Sequence, residues 1–497
     1  MTDNLPGLPL LVSIASAAGC LVAWRSARAQ RVVALVGTGL LLVAAVALVV
    51  MVWRGDPLHL QVGGVPAPFG IRLRADMLAA LMVLVTAVIG VAVAVYAAPD
   101  MPRGHVSHGF YPLVLCLLLG VCGAFLTADL FNLYVWFEVM LIASFVLLGL
   151  GGRRAQLRGG LVYVTLNLVS SALLLIGVGL VYGAVRTLDM AHIAARMADL
   201  SADRPALAVA LQVVLLTSFG LKAAVFPLFF WLPASYHTPP PTVSALFAGL
   251  LTKVGVYAMF RVTAGVFPSP GPLYDGLVVI SAATMLAGVL GALAQDHVRR
   301  VLSFHIVSQI GYMIAGLALA GGDGASRRFA LAAGVFYVVH HIVVKTNLFL
   351  VAGVVRRLRG TEVLGGPGGL ARARPWLGLL FLISALSLAG MPPLSGFWAK
   401  LGIIQAGLDG GRPVLVAIAA GTGLLTLLSM LKLWTGVFAG QEPAEPRSGG
   451  GLGAMYAPIV GLAALTVGIG LFPEPLFRLA LAAADQLLAP SLSGGIP

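Results

Sequence analysis

The sequence predicts an all-α polytopic membrane protein with about fourteen transmembrane helices, and three observations carry the prediction. Hydrophobic residues fill 59% of the 497 positions and charged residues only 10%, too little polar surface for a soluble chain of this length. Apolar runs of about 20 residues, the length that spans a bilayer core, recur from end to end. The 31 basic residues are also divided by type. All five lysines (Lys222, Lys253, Lys345, Lys400 and Lys432) fall inside apolar segments, whereas the 26 arginines lie in loops or at span ends.

Taken in order, the spans are placed at 6–24, 32–53, 76–98, 110–127, 129–150, 160–182, 206–231, 241–264, 273–294, 301–320, 329–355, 376–407, 413–439 and 454–473. Loops after the odd-numbered spans carry fifteen arginines and those on the other side eleven, so the positive-inside rule places both termini outside. The net charge of +13 is spread through these loops, which fits topology and lipid headgroups better than nucleic acid. No basic segment precedes the first apolar run, so the N-terminus does not read as a cleavable signal peptide. Cys20, Cys116 and Cys122 sit in apolar runs without a C-x-x-C pair and read as small core residues, not metal ligands or disulfides. In the loop 183–205, LDMAHIAARMADL reads as a surface-lying helix, and the tail 474–490 as an amphipathic segment. No linker divides the chain, so residues 1–497 form a single membrane domain.

Two spans carry internal breaks. The seventh contains Pro227 and Pro233; the twelfth has Gly390, Pro392, Pro393 and Gly396 at its middle, with Lys400 just beyond. An interrupted helix frees backbone groups and is tolerated only beside protein or water. A pair of them in corresponding parts of two halves points to inverted repeats with a site near the midplane. The two broken spans are five apart, an odd offset that reverses orientation.

The titratable residues within the spans are the candidate site. Glu138 is the one carboxylate deep in an apolar run, LFNLYVWFEVMLIASFVLL; the plain alternative is a structural hydrogen bond, but a mid-span carboxylate is functional by default. Lys222 and Lys253 occur together, and Lys253 shares a stripe with the small residues Ala245 and Gly249. In the eleventh span Tyr337, His341 and Lys345 recur every four residues and form one polar stripe, while His340 points elsewhere. A relay is favoured for His341 over a satisfied core histidine because Lys345 is one turn away. For His305, in VLSFHIVSQIGYM, a hydrogen bond across helices is favoured over a relay. Lys432 lies near a span end and reads as snorkelling to the interface. An arginine keeps its proton, whereas a buried lysine can release one, so this is an inventory for handling protons.

These motifs carry a resemblance. FNLYVWFEVMLIASFVLL, FWLPASYHTPPPTVSALFAGLLTKVGVYAMFR, LSFHIVSQIGYM, HHIVVKTNLFLVAG and GMPPLSGFWAKLG occur in the order found in the antiporter-like subunits shared by respiratory complex I and Mrp-type antiporters. Over about residues 70–440 the chain resembles that family, and within it most resembles the D subunit of the Mrp-type sodium/proton antiporter; its length excludes the much longer A subunit. Lys400 departs from those complex I relatives that carry Glu there. The resemblance implies fourteen helices and two inverted five-helix repeats, at about 110–264 and 273–440. It also implies a polar axis through Glu138, Lys222, Lys253, His341, Lys345 and Lys400, a bacterial inner-membrane location and partner membrane subunits.

The expected function is a proton-translocating subunit of a multi-subunit Na+/proton antiporter. The alternatives are a proton-pumping membrane subunit of a complex I-like quinone- or ferredoxin-coupled oxidoreductase, and a non-transporting scaffold. The central titratable residues argue against the scaffold. The sequence shows no GxGxxG, Walker loop, cysteine cluster or haem motif, so no cofactor, metal, redox or hydrolytic site of its own is expected. Opposite charge near Glu138 favours protonated Lys222, and desolvation away from it favours the neutral amine; this coupling is the expected mechanism for loading and releasing a proton.

Overall fold

The computed structural model describes residues 2–65, 70–267, 271–365, 368–440 and 451–489. A short N-terminal turn leads into α1 (Leu8–Val22) and α2 (Ala27–Arg54), the latter capped by Ser26 Oγ accepting from Ala29 N. An antiparallel hairpin follows, β1 (Leu58–Gln61) with β2 (Arg72–Ala75), in the register Leu58 to Ala75. Then come α3 (Met77–Asp100), α4 (Arg103–Ser107), α5 (Phe110–Leu126), α6 (Leu130–Gly149) and α7 (Arg154–Val185). The seventh span is α9 (Pro205–Ala223), entered from α8 (Met190–Asp203) and followed by the short α10 (Trp231–Ser235). Next are α11 (Pro241–Phe260), which continues as a π-helical turn at Arg261–Val266, α12 (Gly271–Leu293), α13 (Val298–Ala318) and α14 (Gly324–Arg359). The one-turn α15 (Leu370–Ala373) precedes α16 (Pro375–Ala389), α17 (Ser395–Asp409), α18 (Pro413–Val437), α19 (Leu452–Leu471) and α20 (Glu474–Leu488).

Twelve helices among the described residues are long and apolar enough to cross a membrane. The 17-residue α5 and the broken pair α16–α17 complete the fourteen crossings read from the sequence. Differences are local. The loop 54–75 holds the hairpin, whose four-residue strands are too short for a clear alternation. Pro233 does not break a helix: it lies in the first turn of α10, where a missing N–H costs nothing. The break of the seventh span is at 224–230, around Pro227. The amphipathic segments expected at 183–205 and in the tail are α8 and α20, and position 490 of the tail lies outside the described residues. Asp189 starts α8 by accepting from Ala191 N and His192 N, and the helix buries Ile193 and Met197 on one face.

The helices form two shells. The apolar windows of α11 and α14 are buried throughout, and α13 nearly so, whereas α1, α2, α7, α12, α18 and α19 turn about two thirds of theirs outward. Val43, Leu161 and Leu424 are exposed on that outer shell, as expected where the solvent is lipid. Lipid supplies little apolar drive for helix pairing, so close backbone approach and hydrogen bonds set the packing. At the α13–α14 crossing a Cβ on Gly316 would stand 2.5 Å from Gly334 Cα.

Ionic and hydrogen-bonded contacts gather at the two opposite faces of the helix bundle. On the face that carries the hairpin, Asp189 accepts from Arg72 at 2.8 Å, Gln486 of α20 accepts from Met77 N at 2.6 Å, and Arg328 pairs with Asp485. On the opposite, arginine-rich face, Arg299 donates to Glu362 at 2.8 Å, to Pro239 O at 2.6 Å and to Ser244 Oγ at 3.0 Å. Asp100 there accepts from Thr242 in the first turn of α11.

We predict that Gly316→Leu prevents α13 and α14 from meeting. Overpacking costs about 1–3 kcal/mol where side chains can move, and here the obstacle is backbone. The expected outcome is loss of monodisperse protein in size-exclusion chromatography of detergent extracts; a wild-type elution profile and yield would refute the close-contact account.

Candidate functional site

The interior site is built at the two broken spans and the helices between them. α9 ends at Ala223, and Ala224 adopts a left-handed conformation with φ 61°. Of the carbonyls freed there, Leu221 O accepts from Trp231 Nε1 at 3.0 Å. Lys222, in the last turn of α9, is 5% exposed. Its Nζ donates to Ser171 Oγ of α7 at 2.9 Å and stands 4.7 Å over the Phe137 ring of α6. The next residue, Glu138, is half-buried, lies within electrostatic reach of Lys222, and has a buried Oε1 without a hydrogen-bond partner.

α11 carries the row inward. A Cβ on Gly255 would stand 2.7 Å from Ala223 N, so α11 abuts the end of α9 beside Lys222. Gly249, one turn before Lys253, performs the same service toward α14: a Cβ there would stand 2.3 Å from Thr346 Oγ1. Lys253 and Lys345 are both fully buried. The Lys253 ammonium donates to Ala248 O, while Lys345 Nζ and both ring nitrogens of His341 have no hydrogen-bond partner among the described residues. Lys253, Lys345 and His341 are within electrostatic reach of one another. Two ammonium groups so placed repel, so a proton on one disfavours a proton on the other. Tyr337, at the other end of the stripe, donates to Gln309 Oε1 of α13 and stacks on Tyr312 with ring centroids 5.1 Å apart.

The second break closes the row. α16 ends at Ala389 and Gly390 is left-handed with φ 95°. Lys400, one turn into α17, reaches back so that Nζ donates to Ala389 O at 2.8 Å and lies 5.0 Å over the Tyr312 ring. His340 Nδ1 is 2.8 Å from Ser395 Oγ at the start of α17, the direction away from the stripe that helical spacing indicates. His305 Nε2 is 2.8 Å from Ser429 Oγ of α18, the expected bond across helices, and His305 also feels Lys345 and Lys400. The two breaks share a pattern: a helix end, a left-handed residue, and a proline three positions later (Ala224 with Pro227, Gly390 with Pro393). Pro392 and Pro393 lie between α16 and α17.

The structure therefore gathers the sequence candidates into two groups. Glu138 and Lys222 form one; Lys253, His341, Lys345, His305, His340, Tyr337 and Lys400 form the other, and the α9–α11 contact joins them. Lys432 stands apart at the end of α18, donating to Leu293 O, Gln295 O and Asp296 at 2.9–3.1 Å, as snorkelling predicts. Ser171, Thr346 and Tyr312 were not singled out from the sequence. Tyr312 is seven residues after His305, on the same helical face, and that spacing was the available signal. For Ser171, among the apolar and small residues of α7, no comparable signal exists.

These features define a polytopic helical membrane protein whose core holds a row of ionisable side chains strung between two broken helices. Residues 127–426 match the family described as NADH:quinone oxidoreductase/Mrp antiporter, transmembrane. The chain is 41% identical over 492 residues to the D subunit of the Na(+)/H(+) antiporter of Alkalihalophilus pseudofirmus, covering 99% of this chain and 98% of the relative. It is 38% identical over 449 residues to the Bacillus subtilis protein of that name, covering 90% and 89%. In a structure of the Mrp complex from a Dietzia species, one chain superposes with a TM-score of 0.89 at 34% identity, over 99% of this chain and 98% of that one. The chain belongs to the NADH:quinone oxidoreductase/Mrp antiporter membrane-subunit family.

Proposed function

We propose that this chain is the proton-translocating subunit of a hetero-oligomeric antiporter that exchanges protons for a monovalent cation, Na+ by likeness to its relatives. The observation that carries the reading is the row itself: four buried lysines, with interleaved histidines, where a bilayer protein gains nothing by burying uncompensated amines. Glu138 tunes Lys222 by opposite charge; the proton passes by way of Lys253, His341 and Lys345, and Lys400 releases it. Water bridges the intervals between side chains that do not touch. Loading Lys253 disfavours a proton on Lys345, so protons advance one at a time by repulsion. The repeats at 110–264 and 273–440 are read as inverted copies, supported by the shared pattern of the two breaks. The arginine-rich face is assigned to the cytoplasm of a bacterial cell, which places both termini outside.

Glu138→Gln keeps the shape of the side chain and removes its charge. Cation-dependent dequenching of a pH-sensitive dye, in vesicles holding the whole complex, is expected to fall to background while the variant chain still assembles. Near-normal exchange would remove Glu138 from the coupling.

Lys400 is the sharper case because its bond to Ala389 O is also what a structural clamp would make. Arginine keeps the charge and adds donors, so it could serve as a clamp; it holds its proton at every physiological pH, so it cannot serve as a carrier. Both Lys400→Ala and Lys400→Arg are expected to lose transport with wild-type assembly, even under a larger imposed gradient. Substantial antiport by the Arg variant decides for the clamp.

A further inference from the structure

The polar stripe on α11 does not end at Lys253. Tyr257 and Arg261 follow at intervals of four, on the same face, and lead to the face of the protein that carries the hairpin. The Tyr257 hydroxyl donates to Phe125 O of α5 and accepts from Arg261 Nε at 2.8 Å. Arg261 closes on Asp76 with both terminal nitrogens, one to each carboxylate oxygen. Asp76 is 1% exposed and is held further by Ala79 N at 3.0 Å and by Arg74 Nε at 3.4 Å. Arg261 also lines a small cavity, together with Arg72 and Arg74 and with Gln486 and Leu487 of α20.

We infer that Arg261, pinned by Asp76, is a stopper that keeps the proton held at Lys253 from escaping along α11 to the hairpin face. The inference rests on the proton-path reading and explains why the path turns sideways. Lys253 and Tyr257 are both groups that can pass a proton, and Tyr257 can give one outward while taking another from behind. Arg261 is the next group in line, and a guanidinium has no lone pair with which to accept a proton. Its fixed charge, with those of Arg72 and Arg74 at the same cavity, also repels an arriving cation, as arginines do in selective pores. Asp76 offers no bypass, because both of its oxygens are engaged. The proton on Lys253 is left with the lateral neighbours His341 and Lys345. The π-helical turn that begins at Arg261 fits a functional position, since such turns concentrate there.

A purely structural pair would also fasten the start of α3 to the end of α11, so the test exchanges one cation for another. Arg261→Lys keeps a charge opposite Asp76 but supplies a group that can release a proton. The whole complex is reconstituted in sodium-free liposomes, and passive proton flux is driven by a potassium diffusion potential. Flux severalfold above wild type is expected, and adding Lys253→Ala to the same chain is expected to abolish the excess. Tyr257→Phe in the wild-type background retains the ring and its packing; antiport at the wild-type rate, with a tight membrane, is expected because the stripe beyond Lys253 is idle during turnover. The inference is overturned if the assembled Arg261→Lys complex is as tight as wild type, if its leak survives Lys253→Ala, or if Tyr257→Phe loses antiport. The last arm decides the matter should Arg261→Lys not assemble. Failure of the proton-path reading shows separately, as antiport by Lys400→Arg; a tight Arg261→Lys complex with an inactive Lys400→Arg condemns the stopper alone.

Discussion

The constraint on which the rest of the structure depends is the burial of four amines with a single carboxylate among them. Each charged lysine at mid-membrane costs about 2.5–3.5 kcal/mol on insertion scales, and among the described residues only Lys222 of the four has an acid, Glu138, within reach. The remaining lysines are handled by other means. Lys400 lies over the Tyr312 ring and holds a carbonyl freed by the end of α16. Lys253 holds the carbonyl of Ala248 on its own helix. Lys345 has no such partner among the described residues. A group left so poorly compensated is readily shifted between charged and neutral forms by a neighbour, which is the property a relay needs and a structural ion pair lacks.

That arrangement demands rigid surroundings, and the molecule places its strong ionic contacts at the two ends of the central helices. Arg299 with Glu362 clasps the connection into α11 on one face, and Arg261 with Asp76 clasps its exit on the other. Arginine suits both places because its planar fork engages two oxygens and never loses its charge. The division by residue type noticed in the sequence is thus a division by task. Permanent cations fix the ends, and titratable cations occupy the middle.

The fold class, the spans and the titratable inventory were legible because apolar run length and polar interruptions are properties of local sequence. Lys222, Lys253, His341, Lys345 and Lys400 each stand out against an apolar background. The partners of those residues were less legible. Ser171 meets Lys222 across 51 positions, and Tyr312 meets Lys400 across 88, so neither contact has a local signature. The hairpin strands pair over only four residues each, below the length at which alternation is informative. Proline marked the breaks but did not fix them: Pro227 and Pro393 follow left-handed residues that end helices, while Pro233 sits comfortably inside one. The difference lies in position within the turn, since a proline in the first turn of a helix sacrifices no hydrogen bond.

The two breaks are alike in backbone and unlike in the lysine they serve. Lys222 precedes the first break, on the helix that ends there, and looks toward α6 and α7. Lys400 follows the second, on the helix that begins there, and reaches back across the gap to the end just left. The first amine therefore answers to a side-chain charge on a neighbouring helix, and the second to a main-chain carbonyl fixed by the break itself. A carboxylate can change its own protonation or position, whereas a carbonyl can do neither. One end of the row is thereby equipped to respond to an electrostatic change outside it, and the other to hold a geometry. That asymmetry distinguishes two breaks whose backbones are otherwise alike.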